Sequence, residues 1–146
     1  MQIIRDRGEL DAALEALRAD GGAVAMVPTM GALHAGHMAL VEEARRRAAH
    51  VVVSIFVNPT QFGANEDLSR YPRREGSDAQ MLGAADVAIL WAPDVDTMYP
   101  NGPEASVKAG SAAQGLDGDS RPGHFDGVAT VVARLFEQVK PDVAVF

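Results

Sequence analysis

Val24-Ala25-Met26-Val27-Pro28-Thr29-Met30-Gly31-Ala32-Leu33-His34-Ala35-Gly36-His37 changes its period partway along, and that change decides the fold. Residues 23–27 form a short apolar run, the pattern of a buried strand. Pro28 has no N–H to give a sheet ladder, so the strand is expected to stop there. A loop of small residues follows. From His34 the spacing turns helical, with Leu40, Val41, Ala44 and Ala48 on one face. The stretch therefore reads as strand, tight loop and helix, with two histidines in the helix's first turn. His34 and His37 are three apart and share a face. Gly36 leaves bare backbone between them, against which a flat base or sugar could lie. The N–H groups and positive dipole end of a helix favour an anion at that place. Two imidazoles can add hydrogen bonds to phosphate oxygens.

Other readings compete for the same residues. Two surface histidines would look the same if taken alone. A zinc site would need about four N or S ligands, and the chain has no Cys and only His50 and His124 besides. The strand before the pair and the helix after it favour the nucleotide reading. Pro28-Thr29-Met30-Gly31-Ala32-Leu33-His34-Ala35-Gly36-His37 also resembles the variant His-Ile-Gly-His box of the pantothenate synthetases, a family of the nucleotidyltransferase superfamily. Ten residues with two His, two Gly and a Pro are far more specific than His-x-x-His.

A chain of 146 residues fits one domain, and 47% hydrophobic residues suffice to fill a core. The formal net charge of -7 offers no electrostatic footprint for gripping DNA or RNA, so no nucleic-acid partner is expected. ATP remains possible, because a helix end and a bound cation decide that locally. With no Cys the chain has no disulfide or thiol chemistry, which fits a reducing compartment. No apolar run approaches a membrane span, and Met1-Gln2-Ile3-Ile4-Arg5-Asp6-Arg7 is too charged for a signal peptide. The expectation is a soluble cytoplasmic protein.

In chain order, residues 9–19 read as a helix with Leu10, Leu14 and Leu17 on one stripe, ended by Gly21-Gly22. The histidine-bearing helix closes on Arg45-Arg46-Arg47, where Glu42 is expected to pair with Arg46 and Glu43 with Arg47 one turn on. Residues 51–57 are nearly continuous apolar, as in a central parallel strand covered on both faces. That strand runs into Asn58-Pro59-Thr60-Gln61-Phe62-Gly63. Ligands in open α/β sheets bind beyond the carboxyl ends of strands, which would set Asn58 and Gln61 beside the histidine loop. A polar turn is the other reading of those residues. Ser77 is expected to cap a helix over 77–82, with Asp78 a solvated first-turn carboxylate. Residues 86–90 suggest a strand. From Trp91 to Gly123 periodic signals are few; Val107 suggests a brief strand and residues 111–116 a helical turn or two. Trp91 and Tyr99 read as packing residues, since no basic residues interleave with them. A helix over 125–139 carries Val128, Val131, Val132, Leu135 and Val139 as a buried stripe, stopped by Pro141. Residues 143–146 begin a fourth strand. Arg121, near that helix's start, could hold a carboxylate or phosphate in its fork.

Two further stretches carry the resemblance. Phe56-Val57-Asn58-Pro59-Thr60-Gln61-Phe62-Gly63 matches the family's second motif, and Ser120-Arg121-Pro122-Gly123-His124-Phe125 with Gly127 to Val132 matches its third. Tyr71-Pro72-Arg73 matches as well. The resemblance implies ATP-dependent condensation of pantoate with β-alanine through a pantoyl adenylate. It implies ATP contacts from Pro28, Thr29, Met30, Gly31, His34, Gly36 and His37, with His37 and His34 catalytic. It implies that Gln61, with Met30, Asn58 and Arg121, holds pantoate and β-alanine. Mg²⁺ is implied as cofactor, with Asp78 its candidate ligand, and a homodimer as the assembly.

The resemblance also implies that this is the N-terminal half of such an enzyme, lacking a last strand, a phosphate loop and a C-terminal domain. Such a half is expected to fold but to be catalytically deficient. The expected fold is a doubly wound, mostly parallel Rossmann-like α/β sheet of four strands with right-handed crossovers. The first and fourth strands should be neighbours, with the histidine loop at the switch point. The rival functions are another nucleotidyltransferase of the same superfamily and a non-catalytic nucleotide-binding, pantoate-binding or dimerisation module.

Overall fold

The computed structural model describes residues 1–58, 74–101 and 124–146, the last segment by backbone alone over 124–127. Within these residues the elements run β1 (Gln2–Ile4), α1 (Arg7–Arg18), β2 (Val24–Thr29), α2 (Ala35–Arg47), β3 (His50–Ile55), α3 (Glu75–Ala84), β4 (Ile89–Trp91), α4 (Val95–Met98), α5 (His124–Val139) and β5 (Val143–Ala144). The strands form one sheet in the order β1-β4-β3-β2-β5. Every pairing in it is parallel.

Alternation along the strands feeds two layers. Val24 and Met26 of β2, Val52 of β3, and Ile89 and Trp91 of β4 face α1 and α5, where Leu10, Leu14, Val131 and Leu135 pack. Ala25, Val27, Val53 and Leu90 face α2 and α3, where Val41, Ala44 and Leu82 close the layer. Helices thus cover both faces, and the central strands are apolar on both, as doubly wound sheets require. The expected stripe on α5 is present, with Val131, Leu135 and Val139 fully or nearly buried. Trp91 and Tyr99 are core residues, at 0% and 3% exposure.

The first and fourth expected strands, β2 and β5, are neighbours through Ala25↔Val143 and Met26↔Ala144. From β2 the chain lays β3 and β4 to one side and β5 to the other, so the topological switch lies at the carboxyl ends of β2 and β5. The histidine loop leaves β2 there.

Three expectations need correction. The strand does not stop at Pro28: β2 continues through Pro28↔Ser54 and Thr29↔Ile55. The reason is which side the missing donor faces. Ala23 and Thr29 accept from β3, at His50 N–H and Phe56 N–H, whereas Val24 and Met26 accept from Asp142 and Val145 on the β5 side. Pro28 shares the parity of Val24 and Met26, and β5 has ended at Ala144 before reaching it. Two elements were also not read from the sequence. Charge around Gln2–Ile4 hides the edge strand β1, and α4 is a single turn capped by Asp94, whose carboxylate accepts from Thr97 N–H. Finally, α3 starts at Glu75, not Ser77, and the Ser77 hydroxyl donates back to the Arg74 carbonyl. The brief strand at Val107 and the turns at 111–116 fall outside the described residues.

Candidate active site: a histidine-capped helix beside an apolar cleft

The loop between β2 and α2 is held in an unusual shape. Gly31 and Ala32 both have positive φ, 83° and 51°. At Gly31 an added Cβ would lie 3.0 Å from Ile55 Cγ2, so the position excludes a side chain on two grounds. The Thr29 hydroxyl donates to the Ser54 carbonyl (2.8 Å) and accepts from Gly31 N–H (3.1 Å), tying the loop's start to β3. Asp78 of α3 holds the rest: its two carboxylate oxygens accept from Ala32 N–H and Leu33 N–H, each at 2.9 Å. Asp78 is therefore not the solvated carboxylate expected; at 2% exposure it is among the buried polar residues.

His34 is the N-cap of α2, and the two imidazoles cap the helix reciprocally. His34 Nδ1 accepts from Gly36 N–H (3.0 Å), and His37 Nδ1 accepts from His34 N–H (3.2 Å). This is a capping box built from two histidines. It has two consequences. With both Nδ1 atoms accepting, the proton of each neutral ring sits on Nε2, leaving one outward N–H donor apiece. The backbone over Gly36 is also not bare, as an added Cβ there would meet the His34 ring at 2.9 Å. Gly36 makes room for the cap. The rings lie 4.1 Å apart, centroid to centroid, tilted by 40°. Desolvation pushes the His37 pKa below its ordinary 6.5, the neighbouring His34 adds to that, and Asp78 opposes it. At neutral pH His37 is a neutral donor.

His37 borders a cleft of about 330 Å³ at the switch point. Pro28, Thr29 and Met30 form its floor, and Val128, Val131, Val132 and Leu135 of α5 form an apolar wall. A second hollow of about 280 Å³ lies on the far side of Met30, over Gly31, Asp78 and Arg74. The sequence-predicted ATP residues Pro28, Thr29, Met30, Gly31, His34, Gly36 and His37 thus occupy one continuous loop and helix start. The α5 wall was read from the sequence only as core. Its signal was the length of the apolar stripe, which runs past what the sheet covers.

Asn58, three residues beyond β3, is fully buried and lines neither hollow; its Oδ1 accepts from the Tyr99 hydroxyl (2.8 Å). Gln61 and Arg121, expected on the substrate, lie outside the described residues, as do Tyr71-Pro72-Arg73 and the His124 side chain. Among the described residues no three His, Asp or Glu side chains converge on a metal-sized point. Both oxygens of Asp78 already serve amides. The arginines closing α2 pair along the helix, Arg45 with Glu42, and Arg46 and Arg47 with Glu43; the expected Glu42–Arg46 pair is replaced by the one-residue-shorter spacing. No helix among the described residues is long and apolar enough to cross a membrane.

The family model described as pantoate-beta-alanine ligase matches residues 2–146. Over the whole chain the sequence is 60% identical to the pantothenate synthetase of Rhizorhabdus wittichii and 59% identical to that of Sphingopyxis alaskensis, covering 52% of each. Two solved structures align over 99% of the chain. The pantothenate synthetase of Thermus thermophilus gives a TM-score of 0.88 at 48% identity, with 51% of that chain covered. The pantoate-beta-alanine ligase of Francisella tularensis, solved in complex with beta-gamma ATP and β-alanine, gives 0.92 at 38% identity, with 55% covered. The chain spans about half the length of the curated relatives it matches.

Proposed function

The chain belongs to the pantoate–β-alanine ligase family, and from that premise we propose that it supplies the ATP- and pantoate-binding half of an enzyme joining pantoate to β-alanine. One pantoate carboxylate oxygen attacks the α-phosphorus of ATP and the bond to the β-phosphate oxygen breaks, giving pantoyl adenylate and pyrophosphate. The β-alanine amine then attacks the acyl carbon, loses a proton, and AMP leaves. A divalent cation such as Mg²⁺ would be held mainly by the phosphate oxygens and water, and would supply charge screening on the triphosphate.

The observation that carries this reading is the reciprocal Nδ1 capping by His34 and His37, which leaves an Nε2–H donor on each ring, with His37 bordering the apolar cleft. Negative charge grows on the α-phosphate oxygens as the fifth bond forms. Donors fixed in advance by a capping box need no reorganisation to meet it. His37, which borders the cleft, is the principal donor and His34 its partner. Met30 and Gly31 meet the nucleotide through backbone. Pantoate carries two methyl groups on one carbon, and the Val131–Val132–Leu135 wall suits them. Gln61 and Arg121 are assigned to its polar groups by their motifs, and Asn58 to the same end of β3.

We also assign the enzyme to the cytoplasm, where ATP is available and a Cys-free chain is unremarkable. We assign it a homodimeric state, which the outer edge of β1, unpaired among the described residues, and the exposed Ile3 favour.

The test uses this chain completed with the C-terminal half of a 60%-identical relative. His37→Ala should lower kcat by ~10²-fold or more, the scale for one transition-state donor, with the fold intact by circular dichroism. Pyrophosphate exchange into ATP should require pantoate. Exchange driven equally by unrelated acids would point to another member of the superfamily, and an unchanged kcat would reject the role of His37.

A further inference from the structure

Asp78 sits on α3, a helix that gives the apolar cleft none of its lining. Its carboxylate is nonetheless 2% exposed, and burying such a group is costly unless it is fully used. It is used on backbone. Gly31 and Ala32 are consecutive left-handed residues, so the next two amides, Ala32 and Leu33, point to the same side. Successive N–H groups of this kind form a concave anion nest. Here an internal carboxylate fills the nest, one oxygen per amide at 2.9 Å. The next residue is His34, the N-cap whose N–H goes to His37.

We propose that Asp78 is the positioning residue of the His34–His37 pair: by clamping Ala32 and Leu33 it fixes the entry to α2 and thereby the capping box that leaves both Nε2–H donors facing outward. This rests on the proposed function only for its catalytic consequence. The device requires a carboxylate. Asn at the same place has one acceptor, and its NH₂ would confront the second amide donor to donor. Ala offers neither acceptor. The left-handed Ala32 is a conformation that persists only where its surroundings hold it, and the carboxylate is the holding group. Its charge also opposes the two influences that push His37 toward the neutral form.

The experiment reads imidazole tautomers by ¹⁵N NMR on this chain, without substrate, so its outcome does not depend on the reaction proposed above. In the parent both Nδ1 atoms should show the unprotonated, accepting signature. Asp78→Asn and Asp78→Ala should both mix the tautomers of His34 and His37 and speed hydrogen exchange at Ala32 and Leu33 about tenfold or more. Leu82→Ala, a fully buried position on the same helix, weakens α3 but keeps the carboxylate, and should leave the tautomers unchanged. Unmixed tautomers in Asp78→Asn, or equal mixing in Leu82→Ala, would overturn the proposal. If the Asp78 variants do not fold, the parent decides. Scalar couplings across the hydrogen bonds, from the Ala32 and Leu33 nitrogens to the Asp78 carboxyl carbon, should be present, and their absence would overturn it.

Discussion

Exchanging the identities of two neighbouring residues, one at a time, tests the loop geometry directly. Gly31→Ala puts a side chain on a backbone with φ 83° and places its Cβ 3.0 Å from Ile55 Cγ2 and 3.4 Å from Asp78 Oδ2. The left-handed conformation costs an L-residue about 1–2 kcal/mol. Contact with Ile55, a partly buried side chain on a paired strand, adds about 1–2 kcal/mol of overpacking. The sum is about 2–4 kcal/mol. Ala32→Gly should do almost nothing. It relieves about 1 kcal/mol of left-handed strain at φ 51° and loses about 0.5–1 kcal/mol to the greater freedom of the unfolded chain. Urea unfolding at 25 °C, with far-UV circular dichroism as the probe, measures both. In thermal scans the Gly31 variant should melt about 5–15 °C lower, given ~2–4 °C per kcal/mol at this chain length, and the Ala32 variant within about 2 °C of the parent on the same scale. Equal stability losses in the two variants, or a Gly31→Ala loss under about 0.5 kcal/mol, would refute the loop conformation and the account of Asp78 built on it.

Trp91→Phe removes the donor to Gln138 Oε1, a 2.9 Å bond in the core, and should cost about 2–4 kcal/mol from the stranded acceptor and lost volume; urea unfolding checks it. His37 has a lowered pKa when folded, so below its ordinary 6.5 the unfolded chain binds the extra proton more readily. Stability should therefore fall as pH drops below that value and level off past the folded pKa. A His37→Gln variant should lack that component, and an identical pH profile for variant and parent would contradict it. In the completed enzyme Val132→Ala should raise the KM for pantoate about tenfold by removing roughly two methylene equivalents from the wall, with kcat within about twofold. Initial-rate kinetics decide between that and an unchanged KM.

How much of this was legible in the sequence depended on the range of the contacts involved. The strand–loop–helix at Val24 to His37 is written in its local period, and the adjacency of β2 and β5 follows from doubly wound topology once four strands are found. The stripe on α5 is likewise local. Three features escaped for identifiable reasons. β1 has three residues, too few for a period to show, and owes its place to Ile89 and its neighbours some ninety residues away. The passage of β2 through Pro28 depends on where β5 ends. Asp78 reads as an ordinary first-turn acid until the amides of Ala32 and Leu33, 46 and 45 residues earlier, are seen against it. At the site itself, the histidines were legible as donors. Their use of Nδ1 to start the helix was not, because a capping box normally announces itself with Ser, Thr or Asp and a following Glu.

The order of the strands sets a timetable for synthesis. β2, α2 and β3 are contiguous in sequence and can dock as soon as they leave the ribosome, and the histidine loop takes its shape once α3 brings Asp78 to it. The cleft's apolar wall and the strand that covers the free side of β2 come from α5 and β5, and about 90 residues separate Ile55 from Val143. At ~5–20 residues per second that is a wait of roughly 5–20 s. Throughout it, one edge of β2 and the part of the Val24 and Met26 face that α5 covers stand open to solvent. A nascent chain of this fold therefore passes through a window in which one of its core strands is open along an edge. Slow codons placed in that interval would lengthen the exposure, and a ribosome-associated chaperone would find its binding site there before the cleft exists.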